Sequence, residues 1–250
     1  MSLEEHATQS SNSAVIKSSN LLQNTTSEAA MQLPMLCYNE EYNFLNITYK
    51  EKNMSAFLGP IHFWLYNKIG KQEALTKIMA DYAAKEGSIA DASTYTKDLP
   101  ALEDVIDEGN IHGWLQSQIT DAESRYADLV TTILKAQPEK LEDLKALAFE
   151  FGKENTLKNS PDTTVVYREF ENFFVNGMPC DHVNNVTETE HNIFAWEQTA
   201  DLHRDCWIEK GGDPANYYIL RKSVMDGMLD GSEFSIEMPD TNHYILHGKS

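Results

Sequence analysis

Hydrophobic positions recur with a helical period through the first half of the chain. Gly59-x-Ile61-His62-x-Trp64-Leu65-x-x-x-Ile69 returns fifty residues on as Gly109-x-Ile111-His112-x-Trp114-Leu115-x-x-x-Ile119, and Glu73 matches Glu123 at the same shift. In each copy the Ile, Trp, Leu and final Ile fall at i, i+3, i+4 and i+8, which is one face of a helix. Pro60 suits a first helical turn and Asn110 suits an N-cap, so the pattern predicts helices over 60–87 and 111–137, ended by Gly87 and Pro138. Two matched helices suggest an antiparallel pair or a crude duplication, because two copies are too few for a solenoid. Leu99-Pro100 precedes a short helix over 101–108. Residues 138–152 read as a third long helix with Leu141, Leu144, Leu147 and Ala148 inward.

After the turn Asn159-Ser160-Pro161-Asp162 the period changes. Thr163–Val175 alternates weakly and is rich in β-formers, which predicts a strand. Cys180–Thr187 reads as a second strand. Glu190–Gly211 reads as a helix with an inward stripe of Ile193, Trp196, Ala200, His203 and Trp207 beside an acidic face of Glu197, Asp201 and Asp205. Asn216–Met238 reads as an antiparallel hairpin whose first strand is central, turned at Asp226-Gly227 and Asp230-Gly231. Its second strand alternates Phe234, Ile236 and Met238 against Glu233, Ser235 and Glu237. The segment from His243 adds an edge strand or tail. The expected fold class is α+β: N-terminal helices packed with a C-terminal antiparallel sheet that carries one further helix. Residues 1–31 are Ser/Asn/Thr/Gln-rich and predict a disordered tail. Residues 32–250 predict a single domain, with a helical part over 55–152, a sheet part over 163–246 and an aromatic patch at Tyr38–Tyr49.

Charge narrows the partners. Thirty-nine carboxylates against 20 Lys+Arg give a net charge of −19, a field that repels phosphate backbones. Nucleic acid and anionic membrane surfaces are therefore excluded, and a neutral or cationic small ligand is expected. Cys37, Cys180 and Cys206 are too few for a disulfide framework or a Cys-rich zinc site, and an odd count suits a reducing compartment. N-x-S/T triplets occur at Asn24, Asn46, Asn53 and Asn185, but no secretory leader or bilayer-spanning run accompanies them. The expectation is a soluble, cytoplasmic protein, and a homodimer is compatible with it.

The closing segment runs helix, Gly-Gly-Asp-Pro, Tyr217-Tyr218-Ile219-Leu220-Arg221, a glycine turn, then Gly231-Ser232-Glu233-Phe234. It resembles the closing segment of the L-2-amino-thiazoline-4-carboxylic acid hydrolase family and the related 4-vinyl-reductase-type small-molecule-binding domains. Arg221, Gly227, Gly231 and Phe234 carry the likeness, and Ile69–Gly87 is similar to the family's N-terminal helix. Thr189, His203 and Ser232 stand where the resemblance leads one to expect cysteines. It implies a hydrolase opening a cyclic C–N bond in a thiazoline or cyclic-imine carboxylate by general acid/base chemistry with water, and it implies no cofactor.

Such a reaction needs a base, an acid and a carboxylate anchor. His203 on an apolar stripe is the candidate base, and Asp205 can orient an imidazole or protonate a leaving nitrogen. Cys206 is either a buried small hydrophobe or a nucleophile. Arg221 can clamp a carboxylate bidentately or join a cross-strand ion pair. Trp196, Trp64 and Trp114 are candidate pocket walls. His62 and His112, at equivalent positions of the two matched helices, form a candidate ligand-binding pair. Two other readings stay open: a non-catalytic small-molecule-binding domain of the same fold, and a helical metal-dependent enzyme using His62 and His112 with Glu73 or Glu123. The region has neither HExxH nor ExxH, so no metal ligand is assigned.

Overall fold

The computed structural model describes residues 58–190 and 192–248. Residues 1–31, expected as a disordered tail, the Tyr38–Tyr49 patch, Cys37 and three of the four N-x-S/T sites lie outside the described residues; Asn185 lies on a strand.

The two matched segments form helices α1 (Pro60–Lys85) and α3 (Ile111–Ala136). Asn110 caps α3 by accepting the Gly113 amide at 3.2 Å. The pair is parallel, not antiparallel. The His62 and His112 rings meet at the two starts, 5.5 Å apart, and Arg125 pairs with Glu73 midway. Ser88 Oγ donates to Gln137 Oε1 at 2.6 Å beyond the two ends. The reason is the connection. A 26-residue helix is about 39 Å long, and residues 86–110 retrace that length. The return is held by Arg125 Nη1 on the Tyr95 carbonyl (3.0 Å), Lys97 on Asp121 (2.9 Å) and Tyr66 Oη on the Pro100 carbonyl (3.0 Å). It includes the short helix α2 (Leu102–Val105), within the expected 101–108. Because both copies present the same stripe, Leu65, Ile69, Ile111, Leu115 and Ile119 bury together as one core cluster.

Helix α4 (Leu141–Glu154) follows as expected. The next segment corrects the expectation: Thr163–Phe173 is helix α5, not a strand. Asp162 accepts the Val165 amide at 2.8 Å, and Val166, Tyr167, Phe170 and Phe173 recur at a helical spacing and are buried. Cap and period override the β propensity of Thr-Thr-Val-Val. Residues 179–181 then form a 3-10 turn, and the first strand, β1, spans Asn184–Glu190.

The expected helix over 190–211 is instead strand β2 (Ile193–Gln198), a loop and the short helix α6 (Arg204–Glu209). Ile193-Phe194-Ala195-Trp196 is a continuous apolar run because β2 is central, flanked by partners on both edges. Tyr217–Met225, expected as a central strand, belongs to helix α7 (Ala215–Met228). This helix is buried on nearly every side, so both strand parities look apolar. Asp226-Gly227 is therefore helical rather than a turn. A hairpin does exist further on, between β3 (Ser235–Glu237) and β4 (His243–His247). The sheet order is β1-β2-β4-β3, antiparallel throughout.

The fold is α+β, with helices mainly first and a four-stranded antiparallel sheet last. Tyr167 of α5 stacks on Phe194 at 4.4 Å, and Trp196 stacks on Tyr244 at 4.9 Å, so the inner face of the sheet closes the main core. Helices α4 and α7 touch backbone to backbone at Gly152 and Gly227. No helix among the described residues is long and apolar enough to cross a membrane.

Candidate functional site

The loop Thr199–His203 turns the chain from β2 into α6 and sets His203 at the N-cap of that helix. Asp201 fixes the turn: its Oδ1 accepts the amides of His203 (3.1 Å) and Arg204 (3.0 Å) and the Tyr218 hydroxyl (2.6 Å). The His203 ring lies flat on Tyr217, centroids 3.7 Å apart, and only 2 % of the residue is exposed. Its Nδ1 is bonded to the Glu123 carboxylate of α3. The expected stripe from Trp196 through His203 to Trp207 does not exist, since Trp196 is on the sheet and only Trp207 shares a helix with this turn.

Asp205, expected to orient the imidazole, has a side chain 99 % exposed and does not approach it. Glu123 takes that place. The fifty-residue repeat marked Glu123 in the sequence, yet nothing local tied it to a residue eighty positions away. Cys206 is half-buried against the main core. Burial, with the Glu123 carboxylate adding to it, pushes its thiol up to about 11. At neutral pH it is a protonated packing group, not a thiolate nucleophile.

Arg221 projects from α7, not from a strand, so the cross-strand ion pair falls away. Only 4 % of it is exposed. Its Nη1 donates to Asn176 Oδ1 at 2.7 Å and to the Tyr217 hydroxyl at 3.3 Å. The guanidinium carbon lies 4.7 Å from the Phe174 ring centre and 5.5 Å from that of Tyr244. Its Nε has no partner among the described residues. Asn176 Oδ1 also accepts Gln198 Nε2 at 3.3 Å; Gln198 Oε1 takes the Tyr244 hydroxyl at 3.2 Å. Asn176 and Asn184 both donate to Glu171 Oε1, at 3.3 and 2.6 Å. Tyr217 joins this network to His203, being stacked on one and bonded to Arg221.

Lys68 is the residue that sequence reading passed over. It belongs to α1 and is 2 % exposed, with Nζ 4.0 Å from the centre of the Trp64 ring. Burial lowers its pKa to about 8; Glu171 opposes that shift and Arg221 reinforces it. Glu171 thus acts through space on both cations, with no ion pair to either among the described residues. A lysine on an amphipathic helix ordinarily reads as solvated, and no local signal distinguishes this one.

The aromatic candidates are dispersed. Trp196 is sealed in the core against Tyr244, its Nε1 unpaired among the described residues. Trp64 is half-buried and donates to Asn172 Oδ1 at 2.9 Å. Trp114 packs against Tyr66 at 5.9 Å. They do not line one pocket with His203.

His62 and His112 do meet, in a cleft of about 230 Å³ that also reaches Met178 and Cys180. His62 Nδ1 is taken by the Gly59 amide at 2.9 Å, and burial followed by His112 lowers its pKa. Glu73 and Glu123 are unavailable to that pair, one being forked to Arg125 and the other bonded to His203. Among the described residues no three His, Cys, Asp or Glu side chains converge to hold a metal.

The arrangement therefore offers a carboxylate-held imidazole, an aromatic bridge and two buried cations with one shared counter-charge. Comparison with protein-family models, curated proteins and solved structures returns no match.

Proposed function

We propose that the protein takes a small organic carboxylate between Lys68 and Arg221 and hydrolyses a cyclic C–N bond in it, with Glu123–His203 as the general base. The observation that carries this reading is the charge arrangement. Burying a cation without an ion pair costs several kcal/mol, on the order of what a bound anion would return. Here two cations, each at least 96 % buried on its exposed fractions of 2 % and 4 %, share Glu171 only at a distance. A ligand carboxylate supplies the missing charge and an acceptor for the unpaired Arg221 Nε–H.

Glu123 accepting from Nδ1–H leaves the lone pair of His203 on Nε2. That nitrogen takes a proton from water as the oxygen adds to the C=N carbon under attack, then returns it to the nitrogen that departs. A second reading, binding without turnover, is favoured by the near-complete burial of His203.

One experiment separates them. Thermal shift and calorimetry with a thiazoline and a cyclic-imine carboxylate should show binding by the wild type. Arg221→Lys, which keeps the charge and loses the fork, should bind about tenfold more weakly. His203→Gln and Glu123→Gln should keep binding and lose turnover by about a hundredfold or more. Binding with no turnover in any variant supports the second reading. Absence of binding by a folded wild type sinks both.

A further inference from the structure

We infer that Lys68 is a covalent nucleophile whose amine forms an imine with the carbonyl or imine carbon of the carboxylate ligand. This rests on reading Lys68 and Arg221 as a carboxylate seat and names the reacting atom within it. Three features of the site point the same way. Lys68 Nζ lies over the Trp64 indole with 2 % of the residue exposed, so the ammonium has lost most of its hydration. No carboxylate pairs with it among the described residues, whereas Lys71, one turn on, is tied to Asn155 Oδ1 at 2.7 Å. Arg221 is close enough to repel it. Desolvation and a neighbouring cation are the two devices that make a lysine amine a nucleophile near neutral pH. Arg221 would hold the ligand carboxylate while the amine meets the carbon next to it.

With a cyclic imine the step balances without any added reagent. The Nζ lone pair adds to the C=N carbon, the C=N π pair moves to the ring nitrogen, and the proton shed by Nζ ends on that nitrogen. Collapse of the geminal diamine breaks the ring C–N bond, releases a primary amine and leaves C=N to Lys68. Water activated by Glu123–His203 then hydrolyses this imine to a carbonyl and frees Lys68, consuming one water in all. With a 2-oxo acid the same amine gives the same imine and expels one water.

The test uses the intact chain, pyruvate as probe and sodium cyanoborohydride to reduce any imine, followed by peptide mass mapping. Burial leaves Lys68 about three hundredfold more free amine at pH 7 than an ordinary lysine. Its peptide should therefore acquire the reduced pyruvate adduct about tenfold faster than the exposed lysines. Lys68→Arg should abolish that adduct and leave the slow background unchanged, with a thermal melt confirming that the variant folds. Labelling confined to Lys71 and other surface lysines overturns the inference. Pyruvate binding is measured in parallel by thermal shift on wild type and Arg221→Lys. A shift that depends on Arg221 without a Lys68 adduct overturns the nucleophile and leaves the carboxylate seat standing. No shift and no adduct removes both.

Discussion

Gly227→Ala is expected to unfold the protein or cost it about 3 kcal/mol or more. A methyl on Gly227 would stand 2.0 Å from the Phe149 carbonyl oxygen, and one on Gly152 would stand 2.1 Å from the Val224 carbonyl oxygen. In both cases the obstacle is backbone of the opposing helix, so no rotamer change relieves it. Helices α4 and α7 would have to separate, loosening a core that includes Leu144, Ala148, Leu220 and Val224. The sign is informative, because alanine is better than glycine in an ordinary helix by about 1 kcal/mol. Gly70→Ala in α1 is the matched control. Its new methyl would find only Leu99 Cδ1, at 3.8 Å, and should be neutral or stabilising. Urea melts of the two variants decide the matter: a Gly227→Ala protein as stable as Gly70→Ala would mean the helices are not in contact there.

Lys68→Met is expected to stabilise the protein at pH 7 by about 3 kcal/mol, an advantage that disappears as the pH is raised. Lys68 titrates near 10.5 when unfolded and about 8 when folded. Below pH 8 it is charged in both states, and the whole cost of burying the ammonium falls on the native protein. Between 8 and 10.5 the folded state has shed its proton and the unfolded state has not, so wild-type stability rises with pH there. The difference between variant and wild type should therefore be largest at pH 7 and nearly gone at pH 10.5. Other groups titrate in both proteins and cancel in the difference. Paired denaturant melts at pH 7, 9 and 10.5 would show it; a gap that stays constant across that range would mean Lys68 is hydrated or paired. A gap that closes as the pH rises is also what an amine free to react near neutral pH requires, and this links the stability measurement to the imine experiment.

The helices of the first half were legible because each exposes one face to water. Ile111, Leu115 and Ile119 are buried while Gln116 and Ser117 are exposed, so the period survives in the sequence. The strands β3 and β4 were legible for the analogous reason, with Ile236, Tyr244 and Leu246 buried between wet neighbours, but β4 lies inside the sheet, between β2 and β3, and not at its edge. The middle misled because burial there is nearly two-sided. In α7, Tyr217, Tyr218, Leu220, Val224 and Met225 leave no polar stripe from which a turn of 3.6 residues can be read. In β2 the apolar run is as long as a helical segment, and only pairing with β1 and β4 identifies it.

The site follows the same division. His203 stood out as a buried-looking imidazole, and Arg221 through the resemblance of the closing segment. Their partners Glu123 and Asn176 come from elsewhere in the fold, where spacing carries no message, while Tyr217 lies one turn before Arg221 on a helix that reads as a strand. Lys68 looked like any surface lysine because Glu171 and Arg221, the charges that act on it, are brought near only by packing of the fold.

Strand β4 comes after β3 in the chain yet lies between β2 and β3. On the ribosome, β1 and β2 can pair early, but the other side of β2, carrying Phe194 and Trp196, waits with open amides and carbonyls until His243–His247 emerges. A nascent polypeptide stalled just short of that point carries an apolar, unpaired ribbon edge, the kind that recruits other chains. Arrival of β4, rather than collapse of the helices, is then the event that makes the protein safe from self-association.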